Sequence, residues 1–155
     1  MAQPTNVPKV LNLSFGTNVG SKATDERNFR LTVGFSSADI LVDSQATYQI
    51  LAIPAQTFIC SIAVRVIVAF TTSVTITLGD TNSASGWMAS AKIAPQSADA
   101  VGIYKHPLVG AQDTYAGGRK YLTADNMVCV IGGATVAAGL LEVQIQYVDG
   151  LSGNT

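Results

Sequence analysis

The sequence predicts an all-β protein, a two-sheet β-sandwich of the jelly-roll kind, with an extended N-terminal arm. Three observations support this fold class. Apolar residues recur at every second position in several segments, turn-forming residues separate these segments, and the 3.6-residue apolar repeat of an amphipathic helix is not convincing anywhere. With 155 residues, the chain is long enough to bury one core. We therefore expect a single compact domain with an arm.

The most regular alternation lies in residues 57–78. Its apolar positions are Phe58, Cys60, Ile62, Val64, Val66, Val68 and Phe70 in a first arm and Val74, Ile76 and Leu78 in a second. Strict period two indicates strands, and β-branched residues favour them. We predict that the two arms pair as an antiparallel hairpin with Val66 buried. The opposite face of the first arm carries Arg65 among apolar residues. We therefore expect this face to be partly covered, for example by a neighbouring subunit.

Shorter runs on both sides of this segment carry the same signals. Before residues 57–78, strands are predicted at residues 11–15, 29–35, 38–42 and 47–50. These runs are bounded by Gly, Ser, Asp or Pro. Residues 16–28 form the most polar stretch and predict a loop. After the segment we expect a long ordered loop, then a Gly- and Pro-rich surface loop over residues 95–118 with one short strand near Ile103. The last predicted strands are residues 119–122, 127–131 and 141–147.

The chain divides into an arm at residues 1–8, a sandwich domain at residues 9–150 and a polar tail at residues 151–155. Pro4 and Pro8 fix φ and lack a donor N–H, so the arm can hardly form a helix or a central strand. Val7 adds an apolar anchor. We predict that Pro4, Val7 and Pro8 contact a partner, with the arm adding its backbone to an exposed sheet edge.

Composition argues against several functional classes. Charged residues make up 12% of the chain and the formal net charge is -1, which gives no electrostatic footprint for nucleic acid or an anionic membrane. The longest apolar runs are interrupted and shorter than the roughly 20 residues of a transmembrane helix. The first residues lack the apolar core of a signal peptide. We expect a cytosolic protein with neither nucleic acid nor membrane as partner.

The sequence contains no recognisable catalytic or metal-binding pattern. His106 is the only histidine and has no evident partner to orient it, so we interpret it as a surface or packing residue. Asp80 and Asn82 resemble the start of a calcium loop, but its twelfth position would be Ala91 rather than glutamate, and turn formation explains them better. We predict a protein that is not an enzyme and uses no cofactor or metal.

Two cysteines, Cys60 and Cys129, each lie in an apolar strand-like run without CxxC spacing. Buried free thiols are common, so we predict two reduced, unreactive cysteines. A disulfide between them is the alternative.

The loop aromatic residues allow two interpretations. Trp87, Tyr104, Tyr115 and Tyr121 lie in or near predicted loops, where their rings could cap the open ends of the sandwich or could contact a ligand. A carbohydrate-binding module would give the same pattern. As candidates for protein interaction we name Trp87, Tyr104 and Tyr115, together with the arm residues.

Several motifs resemble those of capsid decoration, or cement, proteins of tailed bacteriophages. The motifs are I-P-A-Q-T-F at 53–58, A-F-T-T-S-V-T-I-T-L-G-D-T at 69–81, G-W-M at 86–88, G-G-R-K-Y-L-T-A-D at 117–125 and Y-V-D-G at 147–150. The resemblance covers residues 45–150. It implies a β-sandwich that binds the outside of the phage head, often as a trimer, and stabilises the shell against genome pressure. It implies no site residues.

The expected partners are then further copies of the chain and a major capsid protein, on the capsid surface of a virion assembled in the host cytoplasm. Low charge and many small residues suit tight packing between subunits. The alternative is a host-surface or glycan-binding module of a head fibre or tail.

Overall fold

The computed structural model describes residues 11–12, 26–96, 104–106 and 114–148. The strands are β1 (Leu11–Asn12), β2 (Glu26–Gly34), β3 (Ile40–Leu41), β4 (Ala46–Ile53), β5 (Thr57–Val68), β6 (Thr75–Asp80), β7 (Tyr104–Lys105), β8 (Arg119–Tyr121), β9 (Asp125–Gly132) and β10 (Leu140–Val148). A one-turn helix, α1 (Ser90–Ile93), lies between β6 and β7. The predicted arm, the polar tail and Ile103 lie outside the described residues.

The strands form two sheets. A four-stranded sheet has the order β1-β4-β9-β6, and a six-stranded sheet has the order β3-β2-β10-β5-β7, with β8 also paired to β5. Buried side chains of both sheets join in a single apolar core. The prediction of an all-β, two-sheet sandwich is confirmed, while its jelly-roll topology stays a prediction.

The predicted hairpin is wrong, because its two arms lie in different sheets. β5 pairs with β10, β7 and β8, whereas β6 pairs with β9. Residues 69–74 carry the chain from one sheet to the other, and a turn donates the Val74 N–H to the Thr71 carbonyl oxygen at 3.1 Å. Phe70 and Val74 at this crossing are buried. Alternation identifies a strand and its buried face, but it does not identify the strand's partner.

The predicted burial pattern of β5 is right in the middle of the strand and wrong near both ends. Ile62, Val64 and Val66 are buried, but Phe58 is 38% exposed and Val68 is 47% exposed. The cause is two irregularities in the pairing with β10, which place Cys60 and Ile67 as extra residues between successive paired positions. Each such β-bulge shifts the alternation by one residue.

Local boundaries differ from prediction at the polar stretch, residues 16–28. β2 already begins at Glu26, because Glu26 pairs with Val148 at the end of β10. Cross-strand pairing therefore extends the strand into a segment that its own composition assigns to a loop. The short strand expected near Ile103 is β7, at the next two residues.

Candidate protein-interaction surfaces

The described residues contain no group of three or more histidine, cysteine or acidic side chains that could hold a metal ion. Within the same part of the chain, no helix has the length and apolar character needed to cross a membrane. The ring Nδ1 of His106 lies 3.2 Å from the Ile62 carbonyl oxygen, where it covers a backbone group at the edge of β5. This position agrees with a packing role for His106.

Asp80, at the end of β6, is the centre of a buried polar cluster. Its carboxylate is 1% exposed and accepts the backbone N–H groups of Asn82 at 3.0 Å and Ser83 at 2.9 Å. These two bonds confirm the predicted turn. The carboxylate also accepts the phenol hydroxyls of Tyr115 and Tyr121, each at 3.1 Å. No sequence pattern indicates this second set of bonds, because Tyr115 and Tyr121 are more than 30 residues away along the chain.

A buried charge of this kind needs a counter-charge, and Arg119 provides it. Arg119 Nε lies 3.1 Å from Asp80 Oδ2, and its guanidinium stacks over the Tyr115 and Tyr121 rings at 4.2 and 5.0 Å. Burial is the largest cause that raises the pKa of both tyrosines, followed by the Asp80 charge for Tyr115. Because Asp80 lies in the four-stranded sheet and Arg119 in the six-stranded one, the cluster joins the sheets at one end.

Trp87 and Tyr115, two of the candidate interaction residues, are part of this cluster. Trp87 is fully buried, donates its indole N–H to the Tyr121 hydroxyl at 3.2 Å and packs edge-on against Tyr115 at 5.4 Å. A Cβ on Gly86 would lie 2.2 Å from the Tyr115 ring, so only glycine allows this packing. The two rings cap one end of the sandwich, as the first interpretation of the loop aromatic residues expected.

Tyr104, the third candidate, lies instead on the outer face of the six-stranded sheet. It is 38% exposed and donates its hydroxyl to Glu142 on β10, and Arg65 on β5 donates to the same carboxylate at 2.9 Å. The Arg65 guanidinium also lies 4.8 Å from the Tyr104 ring centre. The Tyr104 ring, on the neighbouring strand β7 of the same chain, thus packs over Arg65, while cover of this face by a neighbouring subunit stays a prediction.

Glu142 is a second buried carboxylate, 3% exposed although it points away from the core. Burial alone would raise its pKa, but the hydrogen bonds from Tyr104 and Arg65 outweigh burial and hold the pKa below its ordinary value. Arg30 contributes a further positive charge at 3.8 Å and is itself 66% exposed. The sequence signal for this cluster was the presence of Arg65 and Glu142 on the polar parity of two strong strands.

The outer face of the four-stranded sheet has a different character. Three strands meet there in register, with Thr47 opposite Val130 and Val130 opposite Thr77, and with Gln49 opposite Val128. None of these side chains is charged. The four-stranded sheet therefore presents an uncharged face, and the six-stranded sheet presents a charged one.

The β6 edge of the four-stranded sheet is covered by other parts of the chain. Along β6, the Ser90 side chain accepts the Ile76 N–H, Met88 accepts the Leu78 N–H and Ser83 accepts the Asp80 N–H, at 2.9 to 3.0 Å. Covered edges do not add further strands, so the chain avoids open-ended association at β6.

The predicted site residues Pro4, Val7 and Pro8 lie outside the described residues. Of the other three, the structure brings Trp87 and Tyr115 together and places Tyr104 apart from them, on the outer face.

No protein-family model matches the sequence, and no curated protein matches it. The fold is nevertheless similar to chains in three phage capsid structures. With the acidic stable capsid of Helicobacter pylori bacteriophage KHP30, the TM-score is 0.54 at 7% identity, over 79% of this chain and 86% of that chain.

The cyanophage Pam1 capsid gives a TM-score of 0.58 at 12% identity, over 80% of this chain and 84% of that chain. The capsid of Ralstonia phage GP4 gives 0.57 at 15% identity, over 86% and 90%. At these identities the similarity is one of fold, and it extends over most of each chain.

Proposed function

We propose that the chain is a structural protein of a phage virion, and more specifically a capsid decoration protein that binds the outer surface of the head and stabilises the shell. The observation that carries this proposal is the similarity of fold to chains in three different phage capsids, over at least 79% of the sequence. The motif resemblance found in the sequence supports the same assignment. The partners would be further copies of the chain, as a trimer, and a major capsid protein.

The two outer faces support a role in assembly. An uncharged face rich in Thr and Val suits packing against a neighbouring protein, since charged residues are depleted in the centres of interfaces. The face around Tyr104 offers a fixed aromatic ring, a group that frequently dominates binding energy. The chain would act on the capsid surface, after assembly in the host cytoplasm, through binding rather than catalysis.

The experiment must separate decoration from a role as the shell-forming protein. Shells are produced in cells that lack this chain, purified, mixed with the separately purified protein and sedimented. We expect shells to form without the chain, to bind it saturably and to rupture at a higher temperature once it is bound. Failure to form shells would identify the chain as a shell-forming protein instead. Shells that form but bind none of the chain would overturn the proposed function.

The glycan-binding alternative loses most of its basis once the aromatic rings are placed. Trp87 is 0% and Tyr115 6% exposed, which leaves Tyr104 as the exposed ring among the three candidates. Sugar-binding sites commonly need more than one ring on an accessible surface. We therefore expect no binding of the purified protein on a glycan array, and specific binding there would favour the alternative.

A further inference from the structure

We propose that residues 1–10 of one subunit add as a strand to the open edge of β2, at Asn28–Leu31, in a neighbouring copy of the chain. This inference rests on the proposed homo-oligomer and names its contact. It starts from the backbone groups of β2, which is the penultimate strand of the six-stranded sheet, next to the two-residue strand β3.

The direction of these backbone groups follows from the hydrogen bonds at Thr32. Its N–H donates to the Asp39 carboxylate at 2.9 Å and its carbonyl oxygen accepts the Ser37 hydroxyl at 2.8 Å, so both groups point away from β10. Residues at every second position of a strand share this direction. The N–H and carbonyl groups of Asn28 and Arg30 therefore also point to the outer edge of β2.

No described residue pairs with the remaining part of that edge. β3 pairs with β2 only at Val33 and Gly34, and Asp39 and Ser37 cover Thr32. Asn28 and Arg30 are exposed, and their outward backbone groups have no partner among the described residues. By contrast, β6 is covered by Ser90, Met88 and Ser83, and β5 by β7, β8 and His106. An unpaired edge of this kind accepts an extended backbone.

The sequence of residues 1–10 fits an added edge strand. Pro4 and Pro8 have the same parity, so both can face away from the sheet while Thr5 and Val7 direct their N–H groups to β2. A strand paired on both sides would need the missing proline donors. The segment therefore suits the outermost position of a sheet and no inner one.

The occupant is a second copy and not the same chain, because of where β1 lies. β1 runs parallel to β4 at the edge of the four-stranded sheet, so the chain enters β1 at Leu11 from the side on which β4 starts, at Ala46. That end of the sandwich adjoins Leu41 and its partner Gly34, about 20 Å along β2 from Asn28 at 3.3 Å per residue. The direction of β1 at Leu11 therefore does not point towards Asn28 of the same chain. Arm exchange between copies is head-to-tail, which can close into a ring such as a trimer.

The test uses Arg30→Pro, which removes an outward N–H without touching the bonds to β10, and Arg30→Ala as its matched control. Arg30→Ala removes the side chain and its contact with Glu142 but keeps the N–H. Association in solution is measured by analytical ultracentrifugation, beside melting temperature. We expect Arg30→Pro to weaken association by about tenfold or more and Arg30→Ala to leave it close to wild type. If Arg30→Pro does not fold, Asn28→Pro with Asn28→Ala replaces the pair.

Deletion of residues 1–8 gives the second half of the test. It should weaken association as Arg30→Pro does, and the combined variant should lose no more than either alone, because both remove the same contact. Four outcomes would each overturn the inference. The two losses could be additive, the Arg30→Pro variant could associate normally, or the wild-type chain could stay monomeric. The fourth is a deletion that lowers the melting temperature of the monomer. Shell binding is scored separately, so that a chain that associates but binds no shell contradicts the proposed function alone.

Discussion

The thiol of Cys129 shows how burial couples one residue to the stability of the whole chain. Cys129 is fully buried in β9, and burial raises its pKa to about 12. In the unfolded chain a thiol has a pKa of about 8.5. The folded state therefore keeps a proton that the unfolded state releases between about pH 8.5 and 12, so stability is complete below pH 8.5 and falls as the pH rises.

We predict that the free energy of unfolding of the wild type falls more steeply above pH 8.5 than that of Cys129→Ala. The difference in slope should be about 1.4 kcal/mol per pH unit, the value for one proton. Urea unfolding at a series of pH values from neutral to alkaline measures it. Cys60→Ala, which retains the buried thiol, should keep the wild-type slope. Parallel curves for wild type and Cys129→Ala would contradict a buried neutral thiol.

The two cysteines also show what a local pattern can predict about burial. Cys129 alternates with its neighbours in β9, which has no extra residue of its own, and its predicted burial is confirmed. Cys60 lies at a bulge of β5 and is only half-buried. The two cysteines lie in different sheets, and no disulfide joins them. The bulge depends on the pairing with β10, more than 80 residues away, and a local pattern contains no information about it.

Within β5, inward and outward positions differ sharply in what they tolerate. Val66 is 1% exposed and faces the core, whereas Val68 is 47% exposed beyond the second bulge. We predict that Val66→Asp lowers the free energy of unfolding by about 4 kcal/mol or more, because it buries an unpaired charge. Val68→Asp should cost less than about 1 kcal/mol. Chemical denaturation of both variants gives the comparison, and equal losses would mean that the alternation after the bulge has been assigned incorrectly.

Strands were predictable where the alternation was long, but their partners were not. β10 was predicted with its buried residues Leu141, Val143 and Ile145, and all three are confirmed. The partner of β6, in contrast, is β9, about 50 residues away along the chain and not the adjacent β5. A six-residue connection can serve either a loose hairpin or a crossing between sheets. The choice depends on the whole core, into which Phe70 and Val74 are packed.

For the molecule as a whole, the strand order supports the jelly roll, which stays a prediction. Along the chain the main strands alternate between the sheets. β2 and β5 lie in the six-stranded sheet, whereas β4 and β6 lie in the four-stranded sheet, so the consecutive strands β5 and β6 are in different sheets. The last two long strands, β9 and β10, then take central positions in the two sheets. Repeated crossing of this kind is a feature of double-sheet jelly rolls and makes most contacts long-range. Sequence patterns could therefore indicate the class of fold but not its strand order.

The polar clusters were the least predictable part of the candidate surfaces. Asp80, Arg119 and Glu142 are each paired with a residue on another strand. In a sequence, however, an isolated charge is normally interpreted as part of a solvated surface. Arg65 and Glu142 lay on the polar parity of two strong strands, but only the structure shows that these strands are neighbours. The cluster around Asp80 has a further role, since it links the two sheets where the apolar core ends.

The linkage at Asp80 can be tested by removing its charge while keeping its size. We predict that Asp80→Asn lowers the free energy of unfolding by about 3 kcal/mol, because it leaves the Arg119 guanidinium without its counter-charge and Tyr115 and Tyr121 without a carboxylate. The value lies at the lower end for broken buried pairs, since the Arg119 side chain keeps 27% of its surface exposed. Thermal and urea unfolding measure the loss.

Asp125→Asn is the matched control, because Asp125 also accepts hydrogen bonds from the same loop but lies nearer the surface. Its carboxylate receives the Thr81 hydroxyl and the Asn82 amide, both exposed, and pairs with no cation among the described residues. We expect Asp125→Asn to cost about 1 kcal/mol or less. If the two variants lose the same stability, the Asp80 carboxylate acts as a local turn residue, and the closure of this end of the sandwich must come from the apolar packing of Trp87 and Tyr115 instead.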